Sequence, residues 1–265
     1  MDLELRGKVA LVTGGSKGIG RAIAEGLAME GASVAICARS ERDLGIAASE
    51  ISKKAGGRVT PIVADVGRTD QVNSLVQQTL TSMGRLDILV NNAGIPGGLA
   101  RGPLETVTDE AVWQDLNTKY LGYLRCARAC VPVMKRQGWG RIINIGGMAA
   151  RQSGTYSTGA REVAVAHLTK TLSDELGQYG ITVNLLHPGY TRHERWLTQI
   201  QERAAREGRT PDELEKEAAQ VNAIRRIVDL QEVAHVVAFL ASPKSGAITG
   251  EIISVSGGMS RATSV

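Results

Sequence analysis

The chain has 265 residues, 43% of them hydrophobic and 22% charged, which supports a sizeable core and excludes a disordered polypeptide. Its 31 basic and 27 acidic residues leave a diffuse net charge of +4, with no basic stripe or aromatic platform to suggest a nucleic-acid partner. No apolar run approaches the ~20 residues of a membrane span, and residues 1–8 lack the apolar stretch of a secretory signal.

Short β-branched runs, each followed by a helical pattern, set the rhythm of the chain. Strands are predicted over 9–12, 33–37, 59–64, 86–90, 141–145, 181–186 and 252–255. Their near-continuous hydrophobicity predicts burial on both faces, as in a parallel sheet covered by helices. Between them, Val72, Leu75, Val76, Leu80 and Met83 keep helical spacing on one face. Helix-length connections call for right-handed crossovers and therefore an α/β, doubly wound Rossmann fold with a single parallel seven-stranded sheet and helices on both faces. One domain over 1–265 is expected, since no repeat, low-complexity tract or Pro/Ser linker interrupts it.

After the first strand comes Thr13-Gly14-Gly15-Ser16-Lys17-Gly18-Ile19-Gly20 and then a helical stretch. Glycines there allow a tight turn and let backbone amides approach a pyrophosphate at a helix N-terminus. At the end of the second strand stand Cys37-Ala38-Arg39-Ser40. An acid at that position would hydrogen-bond a ribose 2′-hydroxyl and repel a 2′-phosphate. This chain offers instead the cation Arg39, with Lys17 a second positive charge nearby, so NADP(H) is expected over NAD(H). Cys37, Cys126 and Cys130 form an odd set without metal-ligand spacing, consistent with a reducing cytoplasm and no metal site.

Taken in order, the glycine loop 13–20, Asp65-Val66, Asn91-Asn92-Ala93-Gly94, Asn117, Pro188-Gly189 and the ending 248–251 with Gly257-Gly258 resemble the short-chain dehydrogenase/reductase family. The likeness runs from about residue 5 to residue 258. It implies that Asp65 accepts from the adenine amino group, that Val66 lies beside it, and that Asn92, Ala93 and Gly94 line the ribose. Asn92 has a structural reading too, tying neighbouring strands together. Thr191, just beyond Pro188-Gly189, is implied to lie near the nicotinamide carboxamide.

The resemblance fails at the catalytic residues. In the family a Ser after the fifth strand is followed by Tyr-x-x-x-Lys on a helix, where the cation lowers the phenol pKa for proton exchange with substrate. Here Gly147 takes the Ser position, and counting back from Leu168-Thr169-Lys170 puts Thr158 and Glu162 in the Tyr and Lys positions. A carboxylate beside a phenol raises the phenol pKa, the wrong direction for this chemistry. Tyr156 is the nearby phenol. On a regular helix it would face roughly 200° away from the required position, but a connection about two residues short offers a different helix start that would swing it in. His187, at the end of the sixth strand, is a second acid/base candidate, read alternatively as a structural donor. Asn117 is implied to hold a water through its backbone. Lys170 lies roughly 21 Å along a helix from Tyr156 and cannot replace the missing Lys.

From 190 to 229 no strand is predicted and charges crowd 202–207. Thr210-Pro211-Asp212-Glu213 reads as a helix start with a capping box. One or two helices there form either a lid or a solvated connector. Small and apolar residues on more than one face of 117–134 and 158–176, among them Ala127, Ala160, Ala164 and Ala166, predict a partner chain. The resemblance implies a homodimer or homotetramer on that surface. The leading expectation is thus an NADP(H)-dependent oxidoreductase acting on a small-molecule carbonyl/alcohol pair. Alternatives are a non-redox enzyme on the same fold (a dehydratase, isomerase or cyclase) and a catalytically silent NADP(H)-binding subunit.

Overall fold

The computed structural model describes residues 1–259. Among these, seven strands form one parallel sheet in the order β3-β2-β1-β4-β5-β6-β7. They are β1 (Val9–Thr13), β2 (Ser33–Ala38), β3 (Val59–Val63), β4 (Ile88–Asn91), β5 (Gly140–Ile145), β6 (Ile181–Pro188) and β7 (Ile252–Val255). β1, β4, β5 and β6 are buried throughout, as continuous apolar runs require between two helical layers. The edges differ from the expected double-sided burial: Val63 of β3 is 51% exposed and Ile252 of β7 is 42% exposed. Pro61 sits in β3, a position an edge strand tolerates because fewer ladder donors are needed.

One face of the sheet carries α1 (Gly18–Met29), α2 (Glu41–Ala55) and α9 (Leu230–Ala241). Ile23, Leu27, Leu44 and Ile51 pack there with β1 and β2, and Val233 and Val237 of α9 extend the same core toward β5 and β6. The other face carries α3 (Thr69–Met83) and α5 (Gly122–Gln137), which bury Leu75, Cys126, Cys130 and Met134. Ala127, expected on an exposed face, is buried in that same cluster. Beside it, α6 (Thr158–Leu176) packs Val165 and Leu168 on Tyr123 and Leu185. The chain runs outward from β1 to β3 and then crosses back to β4. The strand order therefore reverses between β1 and β4, and a crevice opens at their carboxyl ends.

The stretch between β6 and α9 holds α7 (Glu194–Glu207) and α8 (Pro211–Ala218). Ile200, Ala204 and Leu214 give these helices a small core of their own, with Trp196 against it. Thr210 and Glu213 form the capping box of α8. A parallel bridge between Thr191 and Val228 pins the two ends of this insertion together. Among the described residues, no helix is long and apolar enough to cross a membrane.

Candidate active site

The crevice is a cleft of about 1010 Å³ that begins at the glycine loop. Gly14 and Gly18 have φ of +66° and +54°, which side chains other than glycine adopt at a cost. A Cβ on Gly15 would lie 2.8 Å from Ile36, and one on Gly20 would strike Asn92 and the Gly14 carbonyl. Asn92 locks this arrangement by donating to the carbonyls of Thr13 at 3.0 Å and Gly14 at 3.2 Å. It thus has the strand-tying role and lines the cleft as well. The first turn of α1 has no side-chain cap, so its backbone amides and dipole are open to an anion.

A side compartment of about 360 Å³ continues past the loop and gathers Lys17, Arg39, Ser40, Asp65, Val66 and Gly94. Asp65 accepts from the Gly67 amide at 2.8 Å through Oδ1, and Ser40 caps α2 by accepting from Asp43 N at 3.3 Å. Arg39 is exposed at the end of β2. Lys17 Nζ lies 2.6 Å from the Asp43 carboxylate, so part of its charge is already answered. The residues present suit a dinucleotide: glycines at 14, 15 and 20 where a Cβ would clash, an open helix terminus for a diphosphate, and the exposed cation Arg39 at the end of β2. Pro188 and Gly189 complete the far wall. Thr191, expected beside the nicotinamide, is 4% exposed and held in the bridge to Val228, outside the cleft lining. Tyr190 and His193 line the cleft at this point.

The chemical end of the cleft is built by β5, α6 and the segment between α4 (Asp109–Leu116) and α5. Gly147, Thr158, Arg161, Glu162 and Lys119 line it. Residues 117–121 form a π-helical turn, the kind of widened turn that re-aims side chains at functional sites. It carries Lys119, 6% exposed, to within 2.7 Å of Glu162 Oε1. Arg161 Nη1 lies 3.0 Å from Asp115 Oδ1, and its Nε lies 3.5 Å from Glu162 Oε1. Four buried charges of alternating sign thus stand side by side. Burial pushes the Lys119 pKa down, while the Glu162 carboxylate beside it pulls it up. Sequence reading missed Lys119 and Arg161. The signal was the acid itself: a buried Glu162 demands a cation, and Lys119 lies two residues past Asn117.

The three residues expected at the catalytic centre, Tyr156, His187 and Asn117, stand outside this lining. Tyr156 precedes α6, its amide donates to the Ala100 carbonyl at 3.2 Å, and the residue is 49% exposed. α6 begins only at Thr158, so the short connection places no phenol at the chemical end. Asn117 spends its amide on the Gly67 carbonyl at 3.3 Å, and its own carbonyl accepts from Arg125 at 3.1 Å. It braces α5 rather than facing the cleft. His187 is 1% exposed and accepts from the Gly147 amide at 2.8 Å through Nδ1. Burial, then the charges of Arg151 and Lys119, lower its pKa to about 4, so it is a neutral structural acceptor. Among the described residues, no cluster of three or more His, Cys, Asp or Glu is placed to hold a metal ion.

A family model described as Enoyl-(Acyl carrier protein) reductase matches residues 14–260. The chain is 39% identical over 252 residues to the short-chain reductase protein NovJ of Streptomyces niveus, covering 94% of this chain and 93% of that protein. It is 35% identical over 255 residues to the 3-oxoacyl-(acyl-carrier-protein) reductase FabG of Staphylococcus epidermidis, covering 95% of this chain and 98% of that one. Its fold superposes on the crystal structure of L-sorbose reductase from Gluconobacter frateurii, complexed with NADPH and L-sorbose. The TM-score is 0.93 at 32% identity, over 99% of this chain and 100% of the other.

Proposed function

Because the chain belongs to the short-chain dehydrogenase/reductase family, we propose that it is an NADP(H)-dependent reductase of a small-molecule carbonyl compound, with a proton donor other than the family tyrosine. The observation that carries this reading is the buried Lys119 ammonium at the wall of a cleft suited to a dinucleotide. NADPH, when bound, would supply the hydride to the carbonyl carbon. Binding it falls to the glycine loop, Arg39, Ser40, Asp65 and Val66 in the side compartment, and Ala93, Gly94, Pro188 and Gly189 along the floor. The chain must then deliver a proton to the carbonyl oxygen.

Lys119 is the group assigned to that step. Its burial favours release of a proton, and Glu162 at 2.7 Å keeps it charged in the resting site. Passing an Nζ proton to the oxygen leaves a neutral amine hydrogen-bonded to the Glu162 carboxylate, and solvent at the cleft mouth restores it. Stopped-flow loss of NADPH absorbance with a panel of carbonyl compounds tests the reading. Lys119→Gln, which keeps a hydrogen-bond donor for Glu162, is expected to lower turnover about 10²–10⁴-fold, the range for a general acid, with NADPH affinity nearly intact. Tyr190→Phe removes the phenol that lines the cleft, and Tyr156→Phe the one outside it. Loss of turnover in either, with Lys119→Gln unaffected, would move the donor to that phenol.

A second reading has its own support. Gly147 and Thr158 supply no acidic hydroxyl, and Glu162 is already engaged by Lys119, so a catalytically silent NADP(H)-binding subunit fits the same cleft. NADPH binding without turnover of any carbonyl would select it. On either reading α7 and α8 serve as a lid, and the chain assembles as a homodimer or homotetramer through the exposed side of α6, where Val163 is 54% exposed.

A further inference from the structure

One wall of the cleft is a loop with little apolar anchorage. Residues 95–101 leave from Gly94, where a Cβ would stand 3.6 Å from Lys119 Cδ, so the loop starts at the chemical end. Ile95, Pro96 and Gly97 line the cleft. Gly97 and Gly98 have φ of +71° and +72°, and two adjacent glycines give a loop the most backbone freedom to lose. Pro96, Gly97 and Leu99 are exposed, so burial holds little of the segment and polar fastenings must do the rest.

Those fastenings meet at Asp115, a 0% exposed carboxylate near the end of α4. Its Oδ2 accepts from the Leu99 amide at 2.8 Å and from the Ser157 hydroxyl just ahead of α6. Its Oδ1 accepts from Arg161 Nη1 at 3.0 Å, and Arg161 Nη2 donates to the Ile95 carbonyl at 2.9 Å. One carboxylate thus joins α4, the loop and the first turn of α6, through charge-assisted hydrogen bonds roughly twice as strong as neutral ones. Gly98 fits inside this junction so closely that a Cβ would stand 2.7 Å from Thr158 Cγ2 and 2.8 Å from Asp115 Oδ2. Thr158 lines the cleft too, so the junction fixes the gap between two parts of its wall.

We infer that Asp115 is a positioning residue for substrate selection: it clamps residues 95–101 against α6 and so limits the bulk of the carbonyl compound admitted beside Lys119. The selection rests on the reductase reading; the clamp does not. Two variants test them. Asp115→Asn keeps the shape and removes a charge that Arg161 and Lys119 also feel, whereas Gly98→Ala wedges the loop off α6 and changes no charge. Hydrogen exchange, with and without NADPH, reads the clamp. The ratio of kcat/KM for acetophenone over acetone reads selection.

In both variants the Leu99 amide is expected to exchange about tenfold faster or more, as for loss of a hydrogen bond to a charged acceptor, while amides of β1 and β4 keep their wild-type rates. The ratio should shift toward acetophenone by about tenfold or more, the scale of apolar discrimination in a pocket, with NADPH affinity intact. Only Asp115→Asn should also move the pH profile of turnover, through Lys119. Unchanged Leu99 exchange in the folded variants overturns the clamp, and faster exchange with an unaltered ratio overturns selection. If wild type turns over neither ketone, the reductase reading fails; exchange still decides the clamp, and saturation-transfer NMR of the two ketones decides selection. Should Asp115→Asn not fold, Gly98→Ala decides both.

Discussion

Arg39 is exposed at the end of β2 with no carboxylate in ion-pair range among the described residues, whereas Lys17 is paired with Asp43. The two cations that sequence puts on an equal footing are therefore unequal. Arg39→Ala is expected to weaken NADPH by about 1.5–3 kcal/mol, the range for a hydrogen bond to a charged group, and to leave NADH nearly unchanged. Lys17→Ala should cost less, because it also releases Asp43. Calorimetric titration of both dinucleotides checks this, and an equal loss for NADH would make Arg39 a structural residue. His187 gives a second test. Its folded pKa is lowered to about 4 from 6.5, so as pH falls below 6.5 the unfolded chain binds a proton that the folded chain refuses. Stability is then full above pH 6.5 and declines toward pH 4, by at most about 3 kcal/mol. His187→Asn, which keeps an acceptor for the Gly147 amide, should flatten that part of the urea-denaturation profile. An unchanged slope would assign the acid sensitivity to other groups.

Among the elements, α8 is the clearest case of local sequence dictating local structure. Thr210 accepts from Glu213 N at 3.3 Å, and Glu213 accepts from the Thr210 amide at 2.9 Å, the reciprocal pair that Thr-Pro-Asp-Glu announces. Thr210→Ala should cost about 0.5–2 kcal/mol and speed hydrogen exchange in α8 while leaving α9 unchanged. Strands were legible for the same reason, because β-branched runs need no distant partner to be recognised. The glycine loop was legible because tight turns leave their demand in the residue type. Lys119 was not, since its pairing with Glu162 spans 43 residues and depends on a π-helical turn that no periodicity marks. Tyr156 misled for a related reason: where α6 starts is set by tertiary contacts, such as that between Ser157 and Asp115, rather than by spacing.

For the whole molecule, the proposed assembly is tested at the outer side of α6. Ala160, Val163 and His167 fall one turn apart and are exposed, and Trp113 on α4 is 63% exposed. A dimeric or tetrameric mass is expected from light scattering at micromolar concentration. Val163→Asp should lower that mass without unfolding the chain, since the position touches no core. A monomeric wild type would contradict the proposed interface.

The four-charge cluster also bears on which substitutions such a site accepts, and in what order. Gly147 has open space, with Glu162 the nearest neighbour at 3.8 Å from where a Cβ would stand, so a serine fits there as a single substitution. Glu162 cannot be exchanged so simply. A lysine in its place would set a third cation beside Lys119 and Arg161, inside a buried site where unpaired charge costs about 3–5 kcal/mol. Lys119 must change first or together with it. The order of substitution therefore acts as a ratchet: exchanging Glu162 for lysine ahead of Lys119 runs through an unstable intermediate, while the cofactor loop, clamped by Asn92, is untouched by either change.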